Sequence, residues 1–415
     1  MKSSRKISLV SSSMFAFLFS ASLLAQESEL AALSSWVAID APTGHEHLAI
    51  EKIQSKYTGW DHDSYGNLFK VVGRGEPRRV VACALDSYSY AVSQITDAGY
   101  LRLHRIGSGS SHPLWDQAHE GQQLRILTRS GPVVGVTAVA NGHFAAQHRN
   151  ETAIITQNDL WLDVGAESAT EVADMGIALL DPALRHFPAW SYTNEVAGPR
   201  AGARVGCAAL LAAAEAGVNG GSGSTKYLIS VQQVFGWIGL GAGVSSDANA
   251  DEIIVLGVGS TDFDDRVVDG LGTRADVVLT GNGKAEIRLI TPAVTDADAL
   301  MERMSLASAN QVLEALVEAI NPDAQRPAWL AAPQQAAVLN NEASRWGRSD
   351  NSDRLQEIEA LLDQVAEKSA VPGHEGPIRN AIYNTMPEWA KEIAQTDEMG
   401  NMWVEVGPAG QATVF

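Results

Sequence analysis

Apolar positions first recur at helical spacing over LAALSSWVAID (Leu30 to Asp40), stop at APTGHE (Ala41 to Glu46) and resume from His47 to Tyr57. That pattern predicts two amphipathic helices around a tight connection. DSYGNLFKVVG (Asp63 to Gly73) reads as a turn and a strand, and RRVVACALD (Arg78 to Asp86) as a buried strand ending in an acid. From about Val92 to Val164 the text changes to short alternating strands broken by glycines, as in LRILTRSGPVVGVTAV (Leu124 to Val139). This predicts a small β-barrel or sandwich set into a larger α/β unit. ARVGCAALLAAAEAG (Ala203 to Gly217) is a helix, while KYLISVQQVFG (Lys226 to Gly236) and EIIVLGVG (Glu252 to Gly259) are apolar strands, an order that implies parallel pairing. VNGGSGS (Val218 to Ser224) reads as an exposed loop and lacks the Lys-Ser/Thr of a phosphate-binding loop.

The tail repeats the head. IEALLDQVAEKSAVPGHEGPIRNAI (Ile358 to Ile382) matches LAALSSWVAIDAPTGHEHLAIEKI (Leu30 to Ile53), and DEMGNMWVEVG (Asp397 to Gly407) matches DSYGNLFKVVG. The second copy reaches Phe415 in the strand equivalent to the one leading to Asp86. An apolar strand without a partner leaves backbone groups unpaired, so the pattern predicts a chain that continues. Residues 321–354 hold three prolines and a polar end, and read as a linker between the copies.

Composition narrows the function classes. The chain has 415 residues, 45% hydrophobic, with a net charge of −19, and so lacks the basic footprint of a nucleic-acid binder. Lys2, Arg5 and Lys6 precede an apolar run from Met14 to Leu24 that ends at Ala25, which predicts a secretory signal over 1–25 and export to the periplasm or the medium. That run is too short for a comfortable membrane span, and no later stretch predicts a transmembrane anchor. Only Cys83 and Cys207 occur, which excludes a disulfide-built scaffold and a four-cysteine zinc site. An oxidising compartment permits a bridge between them, but two buried free thiols are the expected state.

NDLWLDVGAESATEVADMGIALLDP (Asn158 to Pro182), together with APTGHE and DSYGN, resembles the glutamyl aminopeptidase family of cocatalytic, two-metal metallopeptidases. The resemblance covers roughly residues 30–260. It implies a zinc-peptidase-like α/β domain, with a mixed, largely parallel sheet and helices on both faces. It also implies a β-rich insertion that assembles dimers and larger particles. The organisation expected is a signal peptide at 1–25, an aminopeptidase-like domain over 26–91 and 190–320, an inserted domain at 92–189, a linker at 321–354, and the start of a second copy at 355–415.

The same resemblance points to particular positions. In the family a His precedes an Asp by two residues at a strand end; here the string is CALD, which keeps Asp86 and places Ala84 at the His position. The bridging Asp falls on Gly202 in GARVG, which keeps Arg204, and the general base and next ligand fall on Gln233 and Val234 in QQVFG. A further Asp falls on Gly257. Ala, Gly and Val carry no donor for a metal, and an amide is no base, so this copy is expected to be degenerate and non-catalytic, with Asp86 a strand-end residue. No cofactor is expected within residues 1–415, and a zinc or cobalt pair only in a complete second copy. The expected partners are a peptide or the chain's own second copy, with homo-oligomers forming through the insertion. The alternative is an aminopeptidase whose active site lies beyond Phe415.

Three features have simpler readings. His45-Glu46 and His374-Glu375 recur at a loop-to-helix junction, where a Glu is explained by capping and the helix dipole. HRIGSGSSH (His104 to His112) is a loop, since no nucleophile elbow surrounds its serines. Trp237, directly after QQVFG, is expected to fill the space that metals or substrate would occupy.

Overall fold

The computed structural model describes residues 26–107, 113–138, 146, 152–245, 250–257, 285–297, 299–334, 352–366 and 368–407. The signal over 1–25, the serines of the His104–His112 string, and 335–351 of the linker lie outside the described residues. The chain forms two compact units, Met1–Leu339 and Asn340–Phe415.

In the first unit, helix α1 (residues 26–37) buries Leu33, Trp36 and Val37, and α2 (His47–Lys56) buries Ala49, Ile50 and Ile53. The i, i+3, i+4 spacing of these residues gives each helix one apolar stripe. Strands β1 (Asp61–His62), β2 (Leu68–Arg74) and β3 (Arg78–Ala84) follow. The chain then builds a closed barrel from β4 (Ser89–Ile95), β5 (Tyr100–Ile106), β6 (Gln123–Thr128), β7 (Gly131–Thr137), β8 (Trp161–Asp163) and β9 (Pro182–Arg185), with α3 (Ala169–Asp174) between the last two. Tyr90, Val92, Leu101, Leu103, Leu124, Ile126 and Leu162 fill the barrel. Closure removes the open edges that such short strands would otherwise expose. The barrel begins at Ser89, three residues ahead of the boundary expected at 92, because β4 leaves the end of β3 after a single tight segment.

After the barrel come β10 (Trp190–Ser191), β11 (Glu195–Gly198), α4 (Ala201–Glu215), β12 (Gly223–Ser230), α5 (Ile238–Ser245), β13 (Glu252–Leu256), β14 (Glu286–Ile290), β15 (Glu302–Ser305) and α6 (Leu306–Ile320). The main sheet has the order β1-β2-β12-β3-β13-β14. Pairings β12/β3, β3/β13 and β13/β14 are parallel, while β2 runs antiparallel to both β1 and β12. Alternation along β3 serves both faces: Val81 and Cys83 join the cluster with α4, and Val80 and Ala82 join Leu240 and Val244 of α5. Alanine-rich α4 is buried from Ala201 to Ala214, so its backbone lies close against the sheet.

Three expectations need correction. Cys83 on β3 and Cys207 on α4 are disulfide-bonded, with Cα atoms 5.2 Å apart, and are not free thiols. Close packing of the helix on the central strand brings the two together although 124 residues separate them. Strand β12 starts at Gly223 and ends at Ser230, so part of VNGGSGS lies in the sheet and QQVFG lies outside it. The described part of the expected linker, 321–334, is packed: Trp329 and Ala332 are buried, and Trp36 Nε1 donates to Leu330 O at 2.7 Å. Tyr57 Oη and Lys56 Nζ donate to Ala331 O, and Ala332 N donates to Ser35 Oγ. Prolines without N–H groups suit such an extended strap, and Trp329 supplies its anchor.

The second unit contains α7 (Ser352–Ala366), α8 (Gly376–Thr385), α9 (Glu388–Ile393), and an antiparallel pair of β16 (Gln395–Thr396) and β17 (Met402–Trp403). Its turn has the bonding of the one before β2. Asp63 Oδ1 accepts from Tyr65 N and Asn67 N, and Asn67 Nδ2 donates to Asp63 Oδ2. Asp397 Oδ1 accepts from Met399 N and Asn401 N, and Asn401 Nδ2 donates to Asp397 Oδ2. Gly66 (φ +90°) and Gly400 (φ +88°) occupy the same left-handed position in the two turns. Among the described residues no helix is long and apolar enough to cross a membrane.

Candidate functional site

Parallel pairing of β12, β3 and β13 brings three strand ends to one edge of the sheet. The positions singled out in the sequence lie there: Ala84 and Asp86 after β3, Gln233 and Val234 after β12, Gly257 after β13, and Gly202 in the first turn of α4.

Asp86 is fully buried. Its Oδ1 accepts from Gln233 N at 3.0 Å, and its Oδ2 accepts from Thr43 Oγ1 at 2.9 Å and Val234 N at 3.0 Å. It is therefore a hydrogen-bonded hub, more than the strand-end residue expected. Neighbouring groups extend the arrangement. Val231 N donates to Asn67 Oδ1 at 3.1 Å, and Gln232 N donates to Glu46 Oε1 at 2.8 Å. Four successive N–H groups, Val231 to Val234, are thus held by side-chain oxygens from three other segments. Burial, reinforced by the Asp86 charge, holds the Glu46 carboxyl above the usual carboxylate range.

Glu46 precedes α2 as its N-cap but makes no side-chain cap bond, and Glu375 makes none before α8. The capping explanation is therefore wrong: Glu46 reaches Gln232 N, and Glu375 Oε1 accepts from Gly373 N. Arg200 donates through Nη1 to Asp86 O at 3.1 Å and through Nη2 to the Gln233 side-chain oxygen. Arg200, Gln232 and Trp237 have φ of +55°, +57° and +60°, which is left-handed backbone for residues that carry a β-carbon.

Gly202 and Gly257 meet at close range. A Cβ on Gly257 (φ +74°) would stand 2.7 Å from Ala203 Cα and 2.8 Å from Gly202 O. On Gly202 it would stand 2.9 Å from Pro292 Cγ and 3.2 Å from Val294 Cγ1. Val234 Cγ1 occupies the space a Gly107 side chain would need, and Ala84 is buried in register with Ser230. Trp237 packs instead against the cluster of Val80, Leu228 and Leu240 on the α5 face. The space beside Gly202 is filled by backbone and by Pro292 and Val294, contrary to the filling role expected of the indole. No three His, Cys, Asp or Glu side chains among the described residues lie close enough together to hold a metal ion.

Several participants were not read from the sequence. Thr43, Glu46 and Arg200 act through partners more than 30 residues away. Arg204 had a visible signal, a charge inside a helix otherwise apolar over Ala201 to Ala214. It is fully buried, and desolvation, with repulsion from Arg200, pushes its guanidinium down to about 9. Asp40, whose carboxyl burial raises, pairs with Arg125 across the junction of barrel and α/β body.

Similarities to known proteins follow this architecture. SgcX of Escherichia coli (strain K12), named as a candidate aminopeptidase, is 26% identical over 214 residues, which cover 49% of this chain and 55% of SgcX. The chain thus spans about half the length of the curated relatives it matches. Among solved structures, the aminopeptidase APDkam598 of Desulfurococcus kamchatkensis superposes with a TM-score of 0.57 at 17% identity, covering 75% of this chain and 99% of that one. The TET1 peptidase of Pyrococcus horikoshii, which can assemble into a tetrahedron or a large octahedral shell, gives 0.53 at 17% identity, covering 72% and 99%. At these identities the likeness establishes the fold. The sequence profile of the M42 glutamyl aminopeptidases matches residues 66–306, from the turn before β2 to the start of α6, and the chain belongs to that family.

Proposed function

We propose that the first unit is an exported, non-catalytic member of its family that serves structure, docking or peptide binding. The observation that carries this reading is the contact of Gly257 with Gly202 and Ala203, where a single Cβ would meet backbone at under 3 Å. A carboxylate ligand on either glycine has no room. The donor set does not fit a pair of divalent metals: Ala84, Gly202, Val234 and Gly257 offer no side-chain donor, and Asp86 already accepts three protein hydrogen bonds. The Gln233 amide cannot take a proton from water. The exposed apolar side chains of the barrel, among them Trp161 and Val136, suit homo-oligomers formed through the insertion, as does the assembly of TET1.

The full chain tests this directly. Incubation with zinc or cobalt, removal of excess ion, metal analysis and a leucine- or glutamate-nitroanilide assay should show no retained metal pair and no turnover. Two retained equivalents accompanied by hydrolysis would overturn the reading.

A second reading has its own support in the shared bonding of the Asp63–Asn67 and Asp397–Asn401 turns. In that reading a second copy, completed beyond Phe415, carries a zinc or cobalt pair and the peptidase activity, and the first copy docks against it. The intact mass of the protein from its own source separates the two. A value near 41 kDa, expected for this chain after removal of a leader, supports the first, and a much larger one the second.

A further inference from the structure

Between the segment Val37–Asp40, the start of the barrel and α4 lies a cavity of ≈ 30 Å³, away from the Asp86 hub. At roughly 10–15 Å³ for each water-sized group, it has room for a polar group of two or three heavy atoms. Arg204, Ser89 and Trp115 line it, and each brings a buried donor with no hydrogen-bond partner: Arg204 Nε and Nη1, Ser89 Oγ, and Trp115 Nε1. Such groups are costly to leave unpaired, and three of them around one cavity point to a shared acceptor.

The charges nearby favour an anion. Asp40 also lines the cavity, but its carboxylate is matched by Arg125. Arg185, another lining residue, bonds to Gln122 Oε1 and Met301 Sδ and to no carboxylate. His119 is held neutral by burial, which pushes it down to about 4, and its Nδ1 lies 2.7 Å from Trp115 O. Arg204 makes no ion pair among the described residues and has no water-facing surface to offset its charge. A buried guanidinium without a counter-charge is unfavourable, and a carboxylate is the group whose geometry best answers its paired N–H donors.

We infer that this cavity is a binding site for a small monocarboxylate of formate or acetate size, with Arg204 as its counter-ion and Ser89 Oγ and Trp115 Nε1 as neutral donors. The apolar lining from Val37, Ile39 and Leu300 accommodates a methyl group. The ligand sits where the barrel joins the α/β body, so its binding ties the two layers together. This assignment stands independently of whether the first unit is catalytic.

The test uses the full chain in buffer free of carboxylates and chloride. Sodium formate and sodium acetate are titrated while thermal unfolding and calorimetric binding are followed, with sodium sulfate at matched ionic strength as the control for screening. A saturable rise in Tm with formate or acetate, absent with sulfate, is expected. Arg204→Met should abolish that rise while leaving the carboxylate-free Tm equal to or above that of the wild type. Ser89→Ala, which removes one neutral donor, should weaken binding about 3- to 10-fold. If Arg204→Met does not fold, Ser89→Ala and Trp115→Phe decide the matter. The inference is overturned if the wild type shows no saturable shift, as when water alone meets these donors. It is also overturned if chloride acts as well as formate, or if the shift survives in the folded variants.

Discussion

Gly257→Ala puts the helix–strand contact to a quantitative test. Gly257 has φ of +74°, and its added methyl would lie 2.7 Å from Ala203 Cα, 2.8 Å from Gly202 O and 3.0 Å from Ala203 O. Left-handed backbone costs a residue with a β-carbon about 1–2 kcal/mol. All three atoms are main chain of a buried helix, so none can swing aside, and forcing the methyl in adds about 1–3 kcal/mol. The expected loss is therefore about 2–5 kcal/mol, or roughly 4–10 °C in Tm for a unit of this size. Gly66→Ala is the matched control, because Gly66 has φ of +90° with no heavy atom within 4 Å of its added Cβ. It should cost only the backbone part, about 1–2 kcal/mol. Urea and thermal unfolding of the two variants beside the wild type give the difference. If Gly257→Ala is no more destabilising than Gly66→Ala, α4 does not lie against the end of β13 as described.

Other perturbations probe different parts of the first unit. Asp86→Asn removes the charge that accepts from Gln233 N, Val234 N and Thr43 Oγ1, and should cost about 1.5–3 kcal/mol in urea unfolding; an unchanged midpoint would contradict the hub. Replacing Cys83 and Cys207 together by Ala opens a link spanning 124 residues and should cost about 2–5 kcal/mol, with loss of the sensitivity of Tm to reductant. His119, held near 4 against an ordinary 6.5, stays neutral in the fold while the unfolded chain takes up a proton. Its contribution is complete above pH 6.5 and declines as pH drops from 6.5 toward 4, so stability rises with pH across that window. His119→Gln should flatten this slope relative to wild type, whereas the opposing effect of the raised Asp40 and Glu46 carboxyls is common to both proteins; parallel pH profiles would refute the assignment.

The sequence was most legible where structure follows from local pattern. Runs of apolar residues gave β3 and β13, the change to short alternating strands gave the barrel, and the Asp-x-x-Gly-Asn string gave two turns with the same bonding. Partners far apart in the chain were not legible. Nothing near Cys83 announces Cys207, and nothing near Trp329 announces that Leu330 O will accept from Trp36 on the first helix. The strand through Lys226 was read too far because QQVFG is as apolar as the residues before it. It ends at Ser230 because the next N–H groups are captured by side chains from other segments.

That capture also explains why acids persist at this edge of the sheet. Gln232 and Trp237 bracket QQVFG in left-handed conformations that each cost about 1–2 kcal/mol for a residue with a β-carbon. Such a turn lasts only if its surroundings fix it. Asn67 holds Val231 N, Glu46 holds Gln232 N, and Asp86 holds the next two, so three segments share the task. Hydrogen bonds to ionised acceptors are worth more than neutral ones, which favours Glu46 and Asp86 over amides at these positions. Arg200 completes the arrangement by bonding both the Asp86 carbonyl and the Gln233 side chain. Asp86 therefore has a structural reason to remain whether or not its neighbours bind metal, and its retention beside Ala84, Gly202, Val234 and Gly257 is no argument for a surviving catalytic centre.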